Sequence, residues 1–255
     1  MAMTAVTTKG EMRVSLAEYL RCAHQTRKHI NSTLKVLYNL WRTARRERKD
    51  VWDDLSKFED PACSSKVNGP AIKSAFRKYL DARQCGRCCY CRQWLVNIAH
   101  AKPIEHILPK TEYPQFSLHF WNLAVACTDC NLTKQKDVWG SVSKDAFLYP
   151  GHAAYPDMFH PRFHAYDEHI RRVFVETSSG SIALYVGLTP QGRHLCLNLL
   201  NKVATKRVLV ENNPELQASM TNISTYQAKL EGVGFPRLAE FAAMLNDAVI
   251  NVLED

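Results

Sequence analysis

Apolar residues recur at three- and four-residue steps along residues 15–50 of the chain. This spacing places them on one helical face, so the pattern predicts one long helix or two stacked helices. Residues 59–70 break the pattern with two prolines, a glycine and small polar residues, which indicates a linker. Pro70 suits the first position of a helix, and a short helix is therefore expected to run from there to the cysteines that follow.

A different pattern begins after the middle of the chain. Residues 169–188 alternate as two strands, and the sequence Ser178-Ser179-Gly180 between them predicts the turn of a hairpin. Thr189 and Pro190 supply an N-cap and a first-turn proline for a helix of several turns. Two more helices are expected over residues 215–231 and 236–253.

Composition limits the classes of function. Hydrophobic residues make up 46% of the chain and charged residues 23%, and no apolar run is long enough to span a membrane. The first residues lack the pattern of a secretion signal, so a cytoplasmic protein is expected. The formal net charge is +8, and the basic residues concentrate in residues 1–50, which suits a polyanionic partner such as a nucleic acid. A solvated helix face is the alternative for the basic run over residues 42–49.

Two C-x-x-C pairs carry the strongest chemical signal. Cys88 with Cys91 and Cys127 with Cys130 can present four thiolates to one tetrahedral ion, which is the ligand set of a structural zinc site. The spacing between the pairs is longer than in a simple zinc ribbon, so the metal is expected to staple the ends of an inserted structure. Cys85 also forms a C-x-x-C pair with Cys88, which leaves the first pair ambiguous; chance core cysteines or a redox pair are the other interpretations.

The inserted segment contains residue types that suit phosphodiester hydrolysis. Glu105 and His106 lie on a predicted strand that Pro109 ends, and Asn131 directly follows the last cysteine. A carboxylate and an amide oxygen are ligands for a hard divalent ion, and an imidazole with a pKa near neutrality could take a proton from an attacking water. Lys134 and Lys136 are expected on the opening turn of the helix that carries Asn131.

These residues also resemble a known family. The string C-C-Y-C, then E-H-I-L-P-K and N-L-A-V-A-C-T-D-C-N-L-T-K, is similar to the HNH endonucleases over residues 88–136. The resemblance implies His106 as the general base, Glu105 and Asn131 as ligands of a catalytic ion, and Asn122 as the residue that braces the loop orienting the base. Asn131 stands where the family often has histidine, and the oxygen ligands favour magnesium or manganese.

The sequence therefore predicts an α+β fold with a zinc-stapled ββα-metal core in residues 70–145. A basic helical segment, residues 1–60, is expected to precede it, and a hairpin with helices, residues 146–255, to follow it for packing or partner docking. The expected activity is metal-dependent cleavage of nucleic acid, with DNA favoured. RNA, including tRNA, is an alternative substrate, and a zinc-dependent nucleic-acid or partner-binding module without catalysis is an alternative function. The expected nucleic-acid contacts are Lys110, Lys134 and Lys136.

Strings outside this core resemble a narrower group. G-L-T-P-Q-G-R and L-N-L-L-N are similar to the HNH nuclease subunits of Septu and retron-type anti-phage systems. That resemblance implies an effector working beside an SMC-like or ABC-type ATPase. The remaining notable residues are expected to be structural, namely Trp121 in the core, Cys22, Cys63 and Cys196, and the loop or packed histidines His119, His152, His160, His164 and His169.

Overall fold

The computed structural model describes residues 16–21, 27–60, 67–95, 102–177 and 180–211, together with positions 213, 215, 218, 219, 222 and 244. Residues 16–21 are helical, and helix α1 follows over Arg27–Glu47. Helix is thus confirmed over most of residues 15–50. The short helix α2, Trp52–Ser56, comes next, with Leu55 fully buried.

Helix α3 spans Gly69–Arg83 and starts at a well-formed cap. The Asn68 side chain accepts a hydrogen bond from the Ala71 amide, and Pro70 occupies the first turn, as the sequence predicts. Gly69 is required by a close approach, because a Cβ there would fall 1.6 Å from the Leu55 carbonyl oxygen. The predicted linker is described only at its ends, where Glu59 and Asn68 form an isolated β-bridge.

A two-stranded antiparallel sheet and a helix form the centre of the molecule. Strand β1, Ile104–His106, pairs with β2, Leu123–Val125, and helix α4 follows over Thr128–Lys134. Helix α3 packs against β2. The Gln84 side chain closes the outer edge of β2: its Oε1 accepts from the Val125 amide at 2.8 Å and its Nε2 donates to the Val125 carbonyl at 2.7 Å.

The C-terminal part of the described chain includes helix α5, Tyr166–His169. Strands β3, Ile170–Thr177, and β4, Gly180–Gly187, then form the predicted antiparallel hairpin. One face of this ribbon is aliphatic and about half exposed, and it consists of Val173, Val175, Ile182, Leu184 and Val186.

Past the hairpin the chain is helical, as expected. Helix α6, Pro190–Leu195, is capped by the Thr189 side chain, which accepts from the Gly192 amide. A π-helical turn, Cys196–Leu200, joins it to helix α7, Asn201–Glu211. The helices predicted over residues 215–231 and 236–253 lie largely outside the described residues.

Both flanks form hydrogen bonds with the central part of the chain. The Val51 amide donates to the Ser117 hydroxyl, and the Tyr185 hydroxyl donates to the Cys91 carbonyl. The architecture is therefore mixed α+β, with small two-stranded sheets among helices. Among the described helices, none has the length and apolar character to cross a bilayer.

Candidate metal centre and adjoining cleft

Four cysteine sulfurs meet in the interior beside α4. Cys88, Cys91, Cys127 and Cys130 are each at most 4% exposed, and their sulfurs all lie within 4.8 Å of one another. This group could bind a metal ion such as zinc, because four thiolates at this spacing match a tetrahedral site. Cys85 is exposed and does not belong to the group, so the first pair is Cys88 with Cys91.

Local backbone structure holds the sulfurs in place. Cys127 is the N-cap of α4, and its sulfur accepts from the Cys130 amide. The Cys127 amide in turn donates to the Cys88 sulfur at 3.2 Å. Burial raises the pKa of the Cys88 and Cys130 thiols well above its usual value, so a full set of thiolates here requires a neighbouring cation.

Basic residues of α7 supply part of that positive charge. Arg207 Nη2 lies 3.7 Å from the Cys91 sulfur and 3.6 Å from the Cys127 sulfur. Asp129, on the first turn of α4, accepts from Lys206 at 2.9 Å and from Arg207 Nε at 3.3 Å. The nearby sulfurs and carboxylate raise the pKa of Arg207 against the lowering effect of burial, so the guanidinium stays charged.

A cleft of about 290 Å³ opens next to the sulfur cluster. Three of the residues predicted for catalysis or metal binding, Glu105, His106 and Asn131, line this one cleft. Strand β1 ends at His106, and α4 carries Asn131, so the two elements converge there. The other lining residues are Trp52, Ile104, Pro109, Lys110, Thr111, Gln135 and Lys136.

The His106 ring is held by the loop after β1. Its Nε2 lies 2.9 Å from the Ser117 carbonyl oxygen, which can only accept, so Nε2 carries the proton and the neutral ring has its lone pair on Nδ1. Burial lowers the pKa of His106 to about 4, and the nearby Lys110 and Lys134 ammonium groups contribute to this lowering. The ring is therefore neutral at pH 7, and Trp52 lies against it with ring centroids 4.8 Å apart.

Asn122 braces the loop that holds His106. This side chain is fully buried; its Oδ1 accepts from the Leu108 amide at 2.7 Å, and its Nδ2 donates to the carbonyls of Leu108 and Phe116. Phe116 precedes Ser117, whose carbonyl contacts His106. Asn122 thus ties Leu108 and Phe116 together within this loop.

Glu105 forms a buried ion pair. Its carboxylate accepts from the Tyr90 hydroxyl and lies 2.8 Å from the Lys134 ammonium, whose side chain is fully buried. The Lys134 ammonium also lies over the Trp139 ring and 3.3 Å from the His106 carbonyl.

The expectation that Lys134 contacts nucleic acid is therefore wrong, because no part of its side chain reaches the surface. Its expected placement on the opening turn of the helix is also wrong, since Lys134 is the last residue of α4 and Lys136 follows the helix. Lys136 is exposed at the cleft. Lys110 lines it too, and forms an ion pair with Asp50 at 2.5 Å.

Sequence reasoning missed several contributors to the cleft. Trp52 and Asp50 come from the N-terminal flank, and Tyr90 and Trp139 pack around Glu105 and Lys134. No local pattern marks them: Trp52, Asp50 and Tyr90 reach the site through contacts with residues at least 15 positions away, and Trp139 lies in a loop after α4. Gln135 carries one signal, its position between Lys134 and Lys136, the two lysines predicted to contact nucleic acid.

The other singled-out residues are structural where they are described. Trp121 is buried and stacks on Phe163, and Cys196 is buried. His160 and His164 are buried, and His119 stacks on Tyr149. Within the described part of the chain, the four cysteines are the only group of His, Cys, Asp or Glu side chains whose ligand atoms lie close enough together to hold a metal ion. Cys22 and Cys63 lie outside the described residues.

Comparison of the chain with protein-family models, curated proteins and solved structures finds no significant match.

Proposed function

We propose that this protein is a metal-dependent endonuclease of the HNH type that hydrolyses phosphodiester bonds. The observation that carries the proposal is the convergence of His106, Glu105 and Asn131 on one cleft, beside four buried cysteines. A base and two oxygen donors around one open space are what hydrolysis at a phosphate requires.

His106 is the general base in this proposal. The Ser117 carbonyl fixes the tautomer, so Nδ1 can take the proton from a water that attacks the phosphorus. Asn122 acts indirectly, since it braces the loop that supplies this carbonyl. The lowered pKa of His106 keeps the ring neutral and available at physiological pH.

The donor set in the cleft suits a hard divalent cation. Glu105 and Asn131 offer a carboxylate and an amide oxygen, which are ligands for Mg²⁺ or Mn²⁺, and these two residues would hold the ion. The ion would supply positive charge at the phosphate and the leaving oxygen. The four cysteines would hold a zinc ion that has a structural role.

Lys110 and Lys136 are the proposed phosphate contacts, because both line the cleft and carry positive charge. DNA is the favoured substrate and RNA the alternative, since neither lysine distinguishes the two backbones. Action as an anti-phage effector beside an SMC-like or ABC-type ATPase rests on the resemblance of the flanking strings alone.

One observation favours a second candidate function. The Glu105 carboxylate is already neutralised by the buried Lys134 ammonium. This pairing would also suit a zinc-dependent nucleic-acid-binding or partner-binding module that has no catalytic ion. Such a module would keep its ligand when magnesium is removed.

The test compares the wild type with His106→Ala and with the control His152→Ala, an exposed histidine outside the cleft. Each protein is incubated with plasmid DNA and with total RNA, with Mg²⁺ or Mn²⁺ and with chelator. Loss of the base should reduce the cleavage rate by about 100-fold or more, while the control keeps wild-type activity. Zinc content, measured by elemental analysis, should be equal in all three. Equal cleavage by the wild type and His106→Ala would contradict the mechanism.

A further inference from the structure

The chain makes a tight turn directly after α4. Lys134, the last residue of the helix, accepts a hydrogen bond at its carbonyl from the Asp137 amide at 2.9 Å. Gln135 has φ 43° and ψ −118°. These angles and this hydrogen bond define a type II′ turn with Gln135 at its first central position.

That position is the one at which glycine is normally required. A positive φ with a strongly negative ψ brings Cβ against the backbone, and side-chain-bearing residues adopt it at a cost in strain. The fully buried Lys134 on one side anchors the turn in place. A glutamine thus stands where the backbone favours glycine, and we expect its side chain to contribute something that glycine cannot.

The location of Gln135 indicates what this is. The residue is exposed, lines the cleft with Glu105, His106 and Asn131, and donates its amide hydrogen to the Asn131 carbonyl at 3.0 Å. The residue therefore lies one helical turn beyond Asn131, a proposed ligand of the catalytic ion. Strained non-glycine residues concentrate at functional sites, where the strain holds a side chain in a required place.

We infer that Gln135 is a specificity-determining residue, whose carboxamide contacts the edge of a base beside the scissile phosphate. This inference rests on the proposed nuclease function. The neighbouring Lys110 and Lys136 can contact phosphates of any sequence, whereas a carboxamide has both a donor and an acceptor. Adenine presents the matching pair, N6 and N7, so the preferred base beside the cut is adenine.

The decisive variant is Gln135→Gly, compared with Gln135→Ala and with Lys136→Ala on the same turn. Glycine removes the strain together with the side chain, so the melting temperature of Gln135→Gly should rise by about 2–4 °C. Its cleavage at preferred sites should nevertheless fall about tenfold, and sequencing of product ends should show that the adenine preference is lost. Lys136→Ala should instead weaken cleavage at all sites alike and reduce its salt dependence.

Two measurements separate failure of this inference from failure of the proposed function. Cleavage by the wild type with an unchanged end-sequence profile in Gln135→Gly would overturn the role of Gln135 alone. If the wild type binds random oligonucleotides but cuts none with Mg²⁺ or Mn²⁺, the proposed catalysis fails. The base preference of the bound pool, compared between the wild type and Gln135→Gly, then decides the role of Gln135. Absence of both binding and cleavage would overturn both proposals.

Discussion

The Lys134 ammonium is enclosed by protein, with the Glu105 carboxylate at 2.8 Å, the His106 carbonyl at 3.3 Å and the Trp139 ring beneath it. A charge in such a place is tolerated only because it is paired, and removal of one partner leaves the other unpaired in the interior. Lys134 is therefore a structural counter-charge that fixes Glu105 at the wall of the cleft.

Lys134→Met should consequently destabilise the protein by about 3–5 kcal/mol, measured by urea denaturation, because Glu105 loses its buried partner. The double variant Lys134→Met with Glu105→Gln should recover much of this loss, since the uncompensated charge is then gone. Lys136→Met is the control, because its side chain is exposed and its loss should change the free energy of unfolding little. Equal stability of Lys134→Met and Lys136→Met would contradict the buried pair.

For individual residues, the sequence predicted which residues form the site better than it predicted their burial and their contacts. The four cysteines and the grouping of Glu105, His106 and Asn131 could be read from motif spacing, and the structure brings each set together. The burial of Lys134 could not be predicted from motif spacing, because it depends on Tyr90 and Trp139 packing around the ion pair. The low pKa of His106 depends in the same way on surroundings that spacing does not reveal.

Helix α7 and the first turn of α4 are held together by charge. Asp129 accepts from Lys206 and Arg207, and Arg207 also reaches two of the four sulfurs. Donors to metal-bound thiolates offset their negative charge and orient them, so an element distant in sequence contributes to the metal centre.

Arg207→Met should therefore weaken metal binding about tenfold, measured as competition between the protein and a chromophoric chelator for Co²⁺. The absorption of the cobalt–thiolate complex gives a readout that does not depend on catalysis. Arg193→Met, an exposed arginine on α6, serves as the control and should bind the ion as the wild type does. An unchanged affinity in Arg207→Met would show that α7 only packs beside the cluster.

Elements with strong local signals were predictable. The α3 start at Asn68 and Pro70, the β3–β4 hairpin and the Thr189 cap follow from capping and turn chemistry. A strand carrying Glu105 and His106 was predicted to end at Pro109, but β1 already ends at His106. Strand β2 has only three residues, too few for alternation to define it. The π-helical turn at Cys196–Leu200 has no comparable signal in the sequence.

Across the whole molecule, buried histidines link stability to pH. Burial lowers the pKa of His119 to about 3 and that of His164 to about 4, and it lowers the pKa of His160 well below 6.5. Above pH 6.5 these groups are neutral in both the folded and the unfolded chain. Below it the unfolded chain takes up protons that the folded protein does not, so stability decreases as the pH falls from about 6.5 towards about 4.

The free energy of unfolding should hence be lower at pH 5 than at pH 7, by about 1–2 kcal/mol for each such histidine. This window lies above the range in which unfolded aspartates titrate, so the histidines dominate the change. His119→Phe keeps a ring against Tyr149 but cannot take up a proton. The free energy of unfolding of this variant should therefore change less between pH 7 and pH 5 than that of the wild type. If urea denaturation gives the same free energy of unfolding at pH 7 and at pH 5, the buried histidines do not link stability to pH.

The contacts between the three predicted segments were the feature of the fold that the sequence predicted least well. Periodicity located the flanking helices, but it could not show that Val51 reaches Ser117 or that Tyr185 reaches Cys91. Such contacts join residues more than 60 positions apart, and they depend on how complete elements fit against one another.

The carboxamide of Gln84 occupies both backbone groups that Val125 would otherwise offer to a neighbouring strand. A side chain thus takes the place of a missing third strand, and an extended peptide cannot lengthen the small sheet there unless it first displaces the glutamine. Copies of the protein therefore cannot pair edge to edge through the backbone groups of Val125.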